Sequence, residues 1–550
     1  MNPDDSLATL AAEIAEWMAR RTMRSGDDIP RIPRPPRWLP DFTEEAVAET
    51  LAEREAFARR LASLEVADHD VADQIDARLI GSILARCRWD LEILRSWEND
   101  AVFVFGQALG PWYDLLLPLP PLARERQLDL LHVATHIPSQ LQIARTHLSR
   151  AGRQDTARAC LHEIEGIGAR FRASAAAAEA LLDSDLAPAL NEVADAAASA
   201  LDEFEAWLGE LAPTLPPVEA VGRDRFVWFL RNVALIANDP ENLSRSAMQD
   251  YRRAVVAETA GTLHHRRQSL PPLAATIEDQ QRAQARMEEE IRSFSVAEEI
   301  LSHPDTLHRY LVQPFPDRLA PLRFLGVPDD LTDEHRVDDD AVAYAPEPAA
   351  SMPYFYAANA RDPRLGIIHE GAHHKQLAST WRHPNPLRRR YIDSVANEGI
   401  AHYNEEFMLW AGLFDDAPHS RDVIHNFARL RALRVVVDVN LATGVFTLDE
   451  AIEFFVRLVP MDHQTASEEC AMYLATPGLA MSYHVGKQQM LELVTDAIVA
   501  QGQDFRFQDV HDRVWANGNA PFSLQRWEIL GDRSTIDLVE AKAAALPPLA

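Results

Sequence analysis

Cysteine is nearly absent from this chain of 550 residues: Cys87, Cys160 and Cys470 are odd in number, far apart and never in a CxxC pair. That excludes a disulfide framework and a cysteine-based zinc site, and the three read as buried free thiols in a reducing compartment. Positive charge is also scarce, with 54 basic against 84 acidic residues and a net charge of −30. Phosphate binding needs a basic surface, so neither nucleic acid nor an anionic membrane is an expected partner. No run is apolar and long enough to span a bilayer. The N-terminal residues put acids where a secretory signal would be basic, and Leu7, Leu10, Ile14, Trp17 and Met18 recur with helical spacing rather than as a block. A cytoplasmic location is therefore expected.

Alternating strand patterns are scarce too. Ala, Leu, Glu and Arg with helical periodicity dominate, which predicts a mainly α fold. The proline-rich stretch Ile29 to Phe42 reads as an extended connector after a first helix, and the next helix opens with Glu44 and Glu45, where acids complement its dipole. In the Ala-rich region, Leu181, Leu182, Leu186, Leu190, Val193, Leu201, Phe204 and Leu208 mark the buried stripe of a helical pair broken near Pro188. Between Arg318 and Pro348 the text turns irregular and acidic. This predicts a division into residues 1–42 (helix and connector), 43–340 (helical lobe) and 341–550 (the part carrying the chemistry), with 43–550 as one integrated unit. Tyr354, Phe355 and Tyr356 are strand-prone and predict a short strand feeding into the next segment, either a plain connection or an edge able to hold an extended peptide.

That next segment is "RLGIIHEGAHHKQ". His369, Glu370 and His373 form HExxH, and on a helix the two imidazoles project from one face while Glu370 lies one residue round. One Zn2+ ion fits this pattern best, with Glu370 as general base toward a water of lowered pKa. Glu398 follows 25 residues after His373 in "YIDSVANEGIAHYNEEFMLW", read as an amphipathic helix able to pack antiparallel and supply a third ligand. Asn397, His402, Glu405, His374 and Gln376 are candidates to orient the ligands or to be ordinary polar residues. Arg388, Arg389 and Arg390 read either as a solvated turn or as a receiver of a substrate carboxylate.

At this point the chain resembles a bacterial family, domain of unknown function 885, which is similar to zinc peptidases of the HExxH-plus-glutamate (gluzincin) class. The resemblance rests on ordered blocks: "NEGIAHYNEE" with Glu398, Gly399, Ala401, Tyr403 and Glu405; "RALRVVVDVNLATG" with Arg434 and Asp438; "YLATPGLAMSYHVG" with Tyr473, Pro477, Gly478, Ala480, Tyr483 and Gly486; and the turn "ANGNAPFSL". It implies a large, two-lobed, multi-helix metallopeptidase-like fold with a deep central cleft and a short strand beside the zinc helix. A donor aimed at the developing oxyanion is expected from the third block, with Tyr483 first choice and Tyr473 or His484 as alternatives. Candidate substrate contacts are His374, Arg434, His484 and Lys487. The chain departs from the family twice: the HExxH segment is two residues shorter, and Ala442 stands where relatives commonly carry histidine. The expected function is zinc-dependent hydrolysis of an amide bond in a small peptide or peptide-like substrate. The alternatives are a specialised biosynthetic enzyme acting on a non-peptide small molecule and a non-enzymatic structural zinc clamp.

Overall fold

A computed structural model describes residues 6–24, 32–459 and 461–549. The fold is mainly α, with one small three-stranded sheet. The first helix, Leu7–Arg21, is capped by Ser6 and buries the expected Leu7, Leu10, Ile14, Trp17 and Met18. Residues 1–5, which hold the N-terminal acids, and residues 29–31 of the connector lie outside the described residues. From Ile32 to Phe42 the chain is non-helical, as its prolines require, and Thr43 caps the helix Glu44–Ser63. The Ala-rich pair forms as helices Ile167–Glu179 and Ala187–Leu211, with Pro188 in the first turn of the second. No described helix is long and apolar enough to cross a membrane.

The sheet runs in the order β1 (Tyr310–Pro314), β3 (Ala341–Ala345), β2 (Asp329–Asp330), with β1 and β3 parallel and β2 antiparallel to β3. Residues 318–348, irregular in sequence, thus contain two of its strands. The alternation of β3 divides its side chains: Val342 and Tyr344 join the core of the preceding helices, whereas Ala341 packs with Tyr310, Leu377 and Trp381. The sheet therefore links that core to the histidine helix, Arg364–Thr380, which carries Leu377.

Two local expectations are corrected. Tyr354–Tyr356 is not a strand but the opening of a helix, Tyr354–Arg361. Pro353 sits at its N-cap and Ala357, Ala358 and Ala360 favour the helix, while Tyr354 and Phe355 pack on Phe427 rather than pairing with a neighbouring strand. The strand beside the histidine helix is β1 instead. The helix Ser394–Trp410, expected to be amphipathic, is buried on almost every side. It runs through the centre of this part of the molecule, against the histidine helix and the helices Pro418–Thr443 and Ser482–Gln501.

Candidate metal centre

HExxH occupies the middle of the histidine helix, and its one-turn spacing sets the rings of His369 and His373 edge to face, centroids 5.0 Å apart. Ligand atoms of His369, Glu370 and His373 lie within 4.8 Å of one another. The Ser394–Trp410 helix crosses antiparallel: Asn397 donates to Gln376 (2.7 Å), and seven residues on Asn404 donates to the Ile368 carbonyl (2.7 Å). This brings Glu398 opposite the two histidines, with Oε2 3.4 Å from Nε2 of each. Four ligands about 2.0–2.1 Å from a tetrahedral zinc ion are separated by about 3.3–3.4 Å, so the two separations from Glu398 match edges of such a site.

All three side chains are buried, and both ring nitrogens of His373 and Oε2 of Glu398 lack a hydrogen-bond partner among the described residues. Buried polar atoms left in this state are costly unless something else satisfies them, and the donor set, two imidazoles and a carboxylate, suits zinc. Burial disfavours charge on His373, whose pKa is lowered, while the two histidines hold Glu398 well below the usual carboxylate range against its burial.

A second layer fixes the first. Two turns beyond Glu398 on the same helix, Glu405 places Oε1 2.8 Å from His369 Nδ1 and accepts from Arg431 Nη1 at 2.6 Å through Oε2. His402 Nδ1 lies 3.3 Å from the same Oε2. Burial and Arg431 oppose a charge on His369, but Glu405 and Glu398 prevail and raise it to about 9. A carboxylate on the outer nitrogen turns the inner nitrogen toward a metal. Gln376 donates to the Gly518 carbonyl (2.7 Å) and to Asn519 (3.1 Å), tying the C-terminal "NGNAP" turn to the histidine helix.

The block "TPGLAMSYHVG" is positioned by two contacts. Asp438, fully buried, accepts the backbone N–H groups of Gly478 and Met481, both at 2.9 Å, and Gly478 adopts φ +94°. The following helix crosses the Glu398 helix at Gly486 and Gly399, where a Cβ on Gly486 would stand 2.6 Å from the Gly399 Cα. Tyr483 is thereby set with its ring parallel to that of His369, centroids 6.4 Å apart, beside the guanidinium groups of Arg431 and Arg434 at 5.6 and 5.3 Å. Tyr473 instead donates its hydroxyl to Glu469, which also pairs with Arg434 (3.0 Å), and His484 pairs with Asp250 (3.1 Å).

Glu370 is half-buried and lines a cavity of about 90 Å³ walled by Tyr310, Phe355 and Tyr356. His374 points elsewhere, its Nε2 on the His308 carbonyl (2.9 Å), and Lys487 pairs with Glu406 (2.9 Å). The basic turn is committed to structure: Arg388 bridges Asp76 and Glu528, and Arg390 binds Glu334. Sequence reasoning missed Arg431. Its one signal is its position one turn before Arg434, on the same helix face.

Fold and site together define a mainly α-helical protein with a buried His/Glu group able to hold a metal ion. The chain belongs to the bacterial family described as "Bacterial protein of unknown function (DUF885)", whose sequence model matches residues 32–529. Two solved structures share its fold. One, from Shewanella oneidensis, described as "a putative lipoprotein of unknown function", is 16% identical with a TM-score of 0.69, over 96% of this chain and 100% of that one. The other, described as a "putative lipoprotein" from Colwellia psychrerythraea, is 15% identical with a TM-score of 0.70, over 98% of each chain. No curated protein matches the chain.

Proposed function

We propose that this protein is a zinc-dependent hydrolase that cleaves an amide bond in a small peptide or peptide-like molecule. The observation that carries the reading is the equidistance of Glu398 Oε2 from the two HExxH imidazoles, 3.4 Å from each Nε2. His369, His373 and Glu398 would hold the ion. Zinc in such a site polarises a carbonyl and lowers the pKa of a bound water to about 7. Glu370, next to His369 in sequence and facing a cavity, takes the proton of the attacking water and passes it to the leaving nitrogen. Tyr483, whose ring lies beside the guanidinium groups of Arg431 and Arg434, donates to the oxygen on which charge develops. Glu405, anchored by Arg431, keeps the His369 ring in the required orientation.

The cavity beside Glu370, about 90 Å³, is small, which favours short or unstructured chains as substrates. One departure supports the second reading, a reaction on a non-peptide small molecule: Ala442 is fully buried in the apolar core beside Val439, so that position brings no polar group to the chemistry. Hydrolysis of a dipeptide and tripeptide library, abolished in Glu370→Gln with metal content unchanged, is expected on the first reading. Inertness toward every peptide alongside full metal loading would overturn it. On location, the names of the two solved structures favour the cell envelope over the cytoplasm, and fractionation of the producing cell tests this.

A further inference from the structure

A second polar cluster lies away from the metal group. The helix Val71–Arg88 runs directly into a π-helical turn, Trp89–Leu94, closed by Arg95 in the left-handed region at φ 56°. Such turns interrupt a helix at a cost and frequently mark functional positions, because they re-aim side chains. Here Trp89 and Asp90 come to line a cavity of about 200 Å³. Trp17, Trp97 and Phe229 form further apolar wall, and the far side is built from Asp393 and the turn Thr476–Leu479.

Five charged residues line this space; Arg21 is committed to Glu49 and Glu53 and Arg24 to Asp114, which leaves three for a ligand. Arg86 lies over the Phe229 ring at 5.7 Å and makes no ion pair or side-chain hydrogen bond among the described residues. Asp90 makes none either; it is exposed toward the cavity, yet deep enough that burial pushes its carboxyl up to about 6 against the pull of Arg86. Asp393 is 2% exposed, and its Oδ1 caps the Glu398 helix through the Val395 N–H (2.9 Å), but Oδ2 has no partner among the described residues. Arg86 acts on both aspartates without an ion-pair contact to either, and a buried carboxylate oxygen without a partner, as in Asp393, is expensive, so a ligand bearing the complementary charges relieves it. One uncommitted cation and two carboxylates against an aromatic wall specify that ligand closely. A fatty acid would leave both aspartates unsatisfied, and a dicarboxylate or phosphate would be repelled by them.

We propose that this cavity binds a free amino acid with a large apolar side chain, its carboxylate on Arg86, its ammonium group between Asp90 and Asp393, and its side chain among the tryptophans. The size agrees for the apolar part: a cavity of about 150 Å³ suffices for benzene, and this one, at about 200 Å³, accommodates the side chain of leucine or phenylalanine. The proposal does not depend on the hydrolase reading, because binding is measured without turnover.

The test is titration of the full chain with L-leucine and L-phenylalanine, followed by calorimetry and by the fluorescence of the wall tryptophans. Saturable binding is expected, weakened about tenfold or more in Arg86→Met and in Asp90→Asn, since each removes one charge-assisted contact. On the unaltered protein, phenethylamine and 3-phenylpropanoate, which each lack one charge, bind weaker by a similar factor; this series decides the matter if either variant fails to fold. No saturable signal up to about 10 mM, where even weak specific binding registers, would overturn the proposal. So would unchanged affinity in both folded variants, or phenethylamine binding as tightly as L-phenylalanine.

Discussion

Replacing Glu405 by glutamine changes one charge in the layer that orients His369. Glu405 is 2% exposed and Arg431 8%, so their 2.6 Å contact is largely shielded from water. Breaking a buried ion pair by removing one partner costs about 3–5 kcal/mol, because the remaining charge stays desolvated. Glutamine is isosteric and keeps one carbonyl, so it can hold either Arg431 or His369 Nδ1 as acceptor but not both as a charge. A loss of about 2–4 kcal/mol in unfolding free energy is expected on that basis. Metal affinity is expected to fall about 10- to 100-fold, the usual effect of losing a carboxylate behind a ligating histidine. Denaturant unfolding of the metal-free protein measures the first quantity, and competition with a zinc chelator measures the second. If both are unchanged in Glu405→Gln, Glu405 does not support His369 and the layered reading of the site fails.

Three further outcomes are expected. In Gly486→Ala the new methyl group overlaps the Val395 carbonyl and the Gly399 Cα, so the two helices must separate; a loss of about 2–3 kcal/mol follows, and one below about 0.5 kcal/mol would show that the crossing is not tight. Burial pushes the Asp438 carboxyl up to about 7, above its ordinary 3.8, despite the Gly478 and Met481 N–H groups. The folded state then binds a proton that the unfolded chain has released, so stability falls as pH rises from near 4 through about 7 and levels off above. Relative to Asp438→Asn, the wild type should lose about 2–4 kcal/mol between pH 4.5 and 7.5; parallel pH curves would refute this. If the chain is a hydrolase, Tyr483→Phe lowers kcat about 100-fold with KM nearly unchanged, and an effect confined to KM would assign the tyrosine to substrate binding instead.

The parts of the site legible in the sequence are those that depend on local spacing. His369 and His373 are one turn apart, and Glu398 follows in a second helix joined by a short proline-containing turn, so their convergence follows from helix geometry. Glu405 was legible as a neighbour two turns on. Arg431 was not, because its contact to Glu405 depends on how a third helix lies across the first two, which no periodicity encodes. The Gly399–Gly486 crossing was hidden for the same reason: each glycine reads as a weak point in its own helix until the other is brought against it. At Tyr354–Tyr356 strand propensity misled, since Pro353 and the alanines that follow outweigh three aromatics once Phe427 offers those rings a packing surface. The real strands escaped notice because β2 is only two residues long and β1 ends in Pro314.

The central claim is that His369, His373 and Glu398 hold one zinc ion. Metal analysis of the purified chain tests it most directly, by elemental content and by the zinc absorption edge. The account predicts one zinc per chain with two imidazole nitrogens, a carboxylate oxygen and one further light-atom ligand, and loss of that zinc in His373→Ala and in Glu398→Ala variants that remain folded. A folded Glu398→Ala protein that keeps a full complement of zinc in an unchanged coordination shell would contradict it.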